Sequence, residues 1–217
     1  MLDTIIFDMD GVIIDSESLW DKGTERFLGR HQRAYNRKKS KHLCTGKSIQ
    51  ESTKILQQIY AFEGESSELT REWLGIIKQL YATELTFIDG FADFFSQIRR
   101  NGYSTAVATT CSDELLEIVE TRLRLAAYFG DHIYTLTHVH GKSKPEPDLF
   151  LHAAKKLNRV PGQCIVIEDA PLGIEAAKRA GMLCIALTTS YEAALLQSAD
   201  LIVSSFRELT PEKLPRF

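Results

Sequence analysis

Thr4-Ile5-Ile6-Phe7-Asp8-Met9-Asp10-Gly11-Val12 is the stretch that decides the fold. Residues 4–7 form an unbroken apolar run rich in β-branched side chains. The run lacks polar alternation, which suits a strand covered on both faces, as in a parallel sheet. Two carboxylates follow directly. Residues i and i+2 of a strand point the same way, so Asp8 and Asp10 both project beyond the strand's carboxyl end. Gly11 then permits a sharp turn. Open parallel sheets bind ligands at that edge. Two neighbouring carboxylates repel each other, so a proton or a cation has to offset them.

Similar apolar runs recur at Ser104–Ala108, Ile133–Thr137, Cys164–Ile167, Leu183–Leu187 and Leu201–Val203. Helical patterns alternate with them. Phe91–Arg100 has apolar residues at 91, 94, 95 and 98 and is closed by Asn101-Gly102. Ser112-Asp113-Glu114 opens another helix with a cap and early acids. Asp148 is read as the cap of a helix running to Asn158, and Gly181 stops a helix over Pro171–Ala180. Strand and helix in alternation predict an α/β three-layer sandwich on a parallel sheet.

Residues 15–86 break this alternation and contain no convincing strand. Asp15–Gly29, Lys47–Tyr60 and Glu68–Ala82 all read as helices. The expectation is an α/β core over 1–14 and 87–217, interrupted by an all-helical domain over 15–86.

The bulk numbers exclude several classes. A chain of 217 residues with 44% hydrophobic and 25% charged residues is an ordinary globular protein. A net charge of −3 gives no support for nucleic-acid binding. No basic region precedes an apolar stretch at the N-terminus, and no apolar run reaches bilayer length. The four cysteines have no C-x-x-C spacing and suit a reducing compartment. A cytoplasmic protein is expected, without membrane or nucleic-acid partners, and as a monomer.

Other strand ends carry chemistry too. Ile165-Val166-Ile167 runs into Glu168-Asp169, and Val107-Ala108 runs into Thr109-Thr110. Gly141-Lys142-Ser143-Lys144-Pro145-Glu146-Pro147 is a stiff loop with prolines close after Lys144. Carboxylates, a hydroxyl and a lysine at one sheet edge suit a phosphate bound with Mg²⁺.

Asp8-Met9-Asp10-Gly11-Val12, Thr109, Lys144-Pro145 and Glu168-Asp169 resemble, in order and spacing, the four motifs of the haloacid dehalogenase-like hydrolase superfamily. The helical insertion resembles the cap of its β-phosphoglucomutase and phosphoglycolate phosphatase subgroup. The resemblance implies a Rossmann-like core with an inserted helical cap. It implies Mg²⁺-dependent hydrolysis of a small phosphorylated metabolite through an aspartyl-phosphate. By it, Asp8 is the nucleophile and Asp10 the general acid and base. Thr109 donates to phosphate, and Lys144 neutralises charge. Asp8, the backbone carbonyl of Asp10, Asp169 and, less directly, Glu168 hold the metal. The backbone at Met9 and Thr110 lines the phosphate cradle, and Glu17 and Lys47 face substrate. Asp15 reads as a helix cap at most.

Asp10 favours phosphoryl transfer over carbon–halogen cleavage, because the family's dehalogenases lack that aspartate. The alternative is a sugar phosphomutase. Against it, Ile49 stands where the resembling mutase has a phosphate-gripping arginine. Gly46-Lys47-Ser48 mimics the end of a nucleotide-binding loop, but that loop needs glycine at 41, where this chain has Lys41. Arg30–Lys41 holds six basic residues and no acid. It reads first as a solvated face and second as a surface that steers anionic substrates.

Overall fold

The computed structural model describes residues 2–44 and 48–214, leaving aside the His42 side chain. The elements in chain order are β1 (Thr4–Phe7), α1 (Glu17–Arg30), α2 (Arg37–Cys44), α3 (Ile49–Tyr60), α4 (Ser66–Glu84), α5 (Phe91–Arg100), β2 (Ser104–Ala108), α6 (Asp113–Leu123), α7 (Ala126–Phe129), β3 (Ile133–Tyr134), α8 (Asp148–Lys156), β4 (Cys164–Glu168), α9 (Pro171–Arg179), β5 (Leu183–Leu187) and β6 (Leu201–Val203). They fall into two compact units. One comprises residues 1–15 and 86–217, and the other residues 16–85.

In the first unit, six strands form one sheet in the order β3-β2-β1-β4-β5-β6. Every neighbouring pair is parallel. Burial explains the order. All four β1 residues are buried, and β1 lies between β2 and β4, where no polar atom meets solvent. Its side chains alternate between two cores. Phe7 packs edge-on to Phe91 and Phe94 of α5 and to Phe129 of α7. Ile6 belongs to the opposite core, with Phe150, Ala153 and Ala154 of α8 and Ile174, Ala176 and Ala177 of α9. Helices therefore cover both faces, and the three-layer α/β sandwich is as expected from the apolar runs.

Two details depart from expectation. The strand expected over Ile133–Thr137 stops at Tyr134, because a 3₁₀ turn begins at Leu136. The Thr135 backbone N–H donates to His138 Nδ1 at 3.1 Å, which takes the donor a longer strand would use. Asp148 does not cap its helix. Pro147 occupies the cap position without a side-chain bond, and Asp148 instead accepts from Lys142 Nζ at 2.7 Å.

The chain leaves β1 through a tight turn. The Ile13 and Ile14 N–H groups donate to the Met9 carbonyl at 2.8 and 3.0 Å. The outgoing and returning segments pair with each other, through Ile88 N–H to Ile13 O at 2.9 Å and Asp15 N–H to Thr86 O at 3.0 Å. Ser16, not Asp15, stands at the cap position of α1.

The second unit is helical. Phe27 stacks on Trp73 at 5.7 Å between ring centroids, and Trp20 meets Trp73 edge-on at 5.8 Å. The Trp20 indole donates to the Tyr81 hydroxyl at 3.1 Å. Gly23 lets α1 approach α4, since a Cβ there would overlap Ile77. A capping box between Ser48 and Glu51 starts α3.

The basic run is a solvated face, as first expected: Arg30, Arg33, Arg37, Lys38 and Lys39 are exposed. It includes the first part of α2, and several of its charges also find partners on neighbouring segments. Arg30 pairs with Glu72, and Arg37 with Asp21. Arg33 donates to the Tyr60 and Ala61 carbonyls at 2.7 Å each. Lys39 donates to the Ile59 carbonyl at 2.9 Å, and Lys41 bridges Glu17 and Asp21. Among the described residues, no helix is long and apolar enough to cross a membrane.

Candidate active site

Register gathers the polar strand ends. Phe7 aligns with Val107 on one side and with Ile167 on the other. The chain therefore delivers Asp8, Thr109 and Glu168-Asp169 to the carboxyl edge of three adjacent central strands. The Asp8 N–H extends the ladder by one bond, to Ile167 O at 2.9 Å. All four residues are buried.

Lys144 enters from the loop before α8 and carries the only positive charge described against this group. Its Nζ binds Asp8 Oδ1 and, at 2.5 Å, Glu168 Oε1. The ammonium also lies 5.0 Å above the centre of the Phe150 ring. Glu168 is 1% exposed and heavily engaged. Its Oε2 accepts from the Asp169 and Ala170 N–H groups at 2.8 and 2.9 Å. Gly173, one turn into α9, makes the room: a Cβ there would overlap the Glu168 carboxylate.

Asp8, Glu168 and Asp169 each offer an oxygen within 4.8 Å of the others. Two of these three buried carboxylates, Asp8 and Glu168, share Lys144. Burial pushes the Asp8 carboxyl up to about 7; Lys144 opposes this, while Glu168 and Asp10 add to it. Burial works against the Lys144 charge as well, but Asp8 and Glu168 outweigh it and hold the ammonium above the usual lysine range. The three close carboxylate oxygens, all hard donors, fit a divalent cation such as Mg²⁺.

The other expected residues are placed as follows. Asp10 is half-buried at the turn and lies outside the three-carboxylate group. Thr109 Oγ1 accepts from the Cys111 N–H at 3.0 Å, leaving its own hydrogen to donate. The Met9 side chain is fully buried, and Thr110 is exposed. Glu17 belongs to the helical unit, where it accepts from Lys41 Nζ at 2.8 Å. Lys47 lies outside the described residues.

Sequence reading missed a fourth strand end. After β5 the chain runs Thr188-Thr189-Ser190. Ser190 Oγ donates to Asp169 Oδ2, and Thr189 Oγ1 donates to the Gly11 carbonyl at 2.5 Å. Hydroxyls beyond an apolar strand were the available signal, the same one that marked Thr109.

Residues 5–187 match the family model described as haloacid dehalogenase-like hydrolase. The chain belongs to that family. Its relatives include a validoxylamine A 7'-phosphate phosphatase from Streptomyces hygroscopicus subsp. limoneus, 30% identical over 96% of both chains. A β-phosphoglucomutase from Bacillus subtilis is 28% identical over 97% of this chain and 92% of its own. Among solved structures, a HAD family hydrolase from Deinococcus radiodurans R1, with bound phosphate and sodium, superposes with a TM-score of 0.82. It is 25% identical and covers 95% of this chain and 93% of its own. The family match and the structural likeness both span most of the chain.

Proposed function

We propose that this hydrolase is a Mg²⁺-dependent phosphatase of a small phosphorylated metabolite, with sugar or polyol phosphates the favoured class. The observation that carries the reading is the buried group of Asp8, Glu168 and Asp169, with Lys144 on the first two. Such a group suits a cation, and a bound cation together with Lys144 would attract an anionic ligand such as a phosphate. The phosphatase named among the relatives supports the reaction type.

Asp8 attacks phosphorus and becomes an aspartyl-phosphate. Asp10 gives a proton to the leaving alkoxide and then takes one from the hydrolytic water. Thr109 donates its free hydrogen to a phosphate oxygen, alongside the Met9 and Thr110 backbone N–H groups. Lys144 balances the charge of Asp8 and of the phosphate together. Asp8, Asp169 and the Asp10 carbonyl would hold Mg²⁺, with Glu168 beside them, and the ion would supply positive charge against the approach of carboxylate to phosphate. The helical unit is read as the specificity-giving cap, with Glu17 and Lys47 as its recognition groups.

The test is phosphate release from a panel of sugar phosphates, polyol phosphates and phosphoglycolate, with Mg²⁺ or with chelator. Release that needs both Mg²⁺ and Asp8, judged against Asp8→Asn, is expected. Equal release from wild type and Asp8→Asn overturns the reading. The β-phosphoglucomutase relative favours a second reading, a phosphomutase. That reading requires interconversion of sugar phosphates without net release, and Ile49 weighs against it.

A further inference from the structure

We infer that Ser190 is a positioning residue for cation binding: its hydroxyl fixes the Asp169 carboxylate. The inference rests on the proposed divalent-cation site and adds a residue that the four family motifs do not contain.

Three observations converge on the loop after β5. Ser190 Oγ donates to Asp169 Oδ2. The opposite wall is Gly11, held at φ +74° by the turn after β1. A Cβ on Gly11 would overlap the Asp169 carboxylate and lie 2.6 Å from Ser190 Oγ. Asp169 Oδ2 is therefore confined between a hydroxyl and a bare backbone. Thr189, the residue before, donates to the Gly11 carbonyl at 2.5 Å. One short loop thus ties together the turn that carries Asp8 and Asp10 and the carboxylate at the end of β4.

The physics favours a positioning role. A buried Asp169 that must bind a cation without rearranging needs its rotamer set in advance. Groups that hydrogen-bond to ligating carboxylates do this, and their loss costs about 10–100-fold in metal affinity. Ser190 is half-buried at the strand edge, and its side chain is too small to add much to the hydrophobic core. Removing its hydroxyl should change ligand geometry more than fold stability.

The experiment is direct titration of Mn²⁺, followed by loss of the free-ion electron paramagnetic resonance signal, on the full chain without substrate. Ser190→Ala should bind Mn²⁺ about 10–100-fold more weakly than wild type. Its metal-free melting temperature should stay close to wild type. If Ser190→Ala does not fold, Ser190→Cys keeps the volume with a much weaker donor and should show the same loss. Equal affinity in the variant and wild type overturns the inference alone. A large fall in metal-free melting temperature that accounts for the weaker binding overturns it too, because the role is then structural. A wild-type chain that binds no Mn²⁺ overturns the cation site itself, and the inference with it.

Discussion

Two lysines in this molecule are each clamped by two carboxylates, and they do opposite work. Lys144 lies between Asp8 and Glu168 in the α/β unit, and Lys41 lies between Glu17 and Asp21 in the helical unit. The difference is how many positive groups each set of acids receives, and how deeply it is buried. Asp21 receives Arg37, Lys41 and the Tyr35 hydroxyl. Burial opposes its charge, yet these partners hold its carboxyl below the usual range. Asp8 shares its lysine with the buried Glu168, lies close to the buried Asp169, and burial pushes its carboxyl up to about 7. One cluster is saturated and holds helices together. The other is buried at the edge of the sheet, where desolvation works against its charge.

That contrast can be broken at either end. The largest expected effect is on turnover. Asp8→Asn should abolish phosphate release, by a factor of about 10³ or more, since it removes the nucleophile and a cation ligand together. Steady-state assays on the best substrate of the panel measure it. Lys144→Ala should lower kcat by about 10²–10³-fold, the cost of losing a preorganised charge at the reacting group. Chemical denaturation at pH 8 without metal should show that variant several kcal/mol less stable, about 3–5 for a broken buried pair. Lys41→Ala should cost about 1 kcal/mol or less, because its partners are partly solvated.

The pH dependences should run in opposite directions. Between about pH 4 and pH 7, folded metal-free protein keeps a proton on Asp8 that the unfolded chain has already released. Stability must therefore fall as pH rises through that window, by about 2–4 kcal/mol for a shift of this size. Asp8→Asn should lack this slope. Asp21 has the reverse sign: its contribution is present above the ordinary carboxylate range and is lost as pH falls below it. Denaturation of wild type, Asp8→Asn and Asp21→Asn in chelator, from pH 3 to pH 8, separates the two.

How much of this was legible in the sequence depends on what holds each piece in place. The strands were legible because a parallel strand is apolar on both faces and its pattern needs no partner to be recognised. Asp8, Asp10, Thr109, Lys144 and Asp169 were legible because each sits at or just beyond such a strand or in a proline-stiffened loop. Helix α2 was not. Its run Arg37-Lys38-Lys39 has no apolar stripe, and its ion pairs come from Glu17 and Asp21 on another helix. The engagement of Glu168 by Lys144 and two backbone amides was hidden for the same reason. Ser190 was hidden because its meaning depends on Asp169 and Gly11, far away in sequence.

The smallest effect tests the saturated end. Tyr35→Phe removes the hydroxyl that donates to Asp21 at 2.7 Å. It should cost about 1 kcal/mol in stability and leave kcat unchanged. A large fall in kcat would end the division of labour drawn between the two clusters.

The most direct measurement of the central claim is where the phosphoryl group goes. Asp10→Asn, mixed with Mg²⁺ and an aryl or acyl phosphate whose leaving group needs no proton, and quenched in acid, should carry a phosphoryl group on the peptide containing Asp8, mapped by tandem mass spectrometry. The group should accumulate because the base that activates water is missing. A modified peptide elsewhere, or an unmodified chain that still releases phosphate, would contradict Asp8 as the nucleophile and with it the reading of the buried cluster.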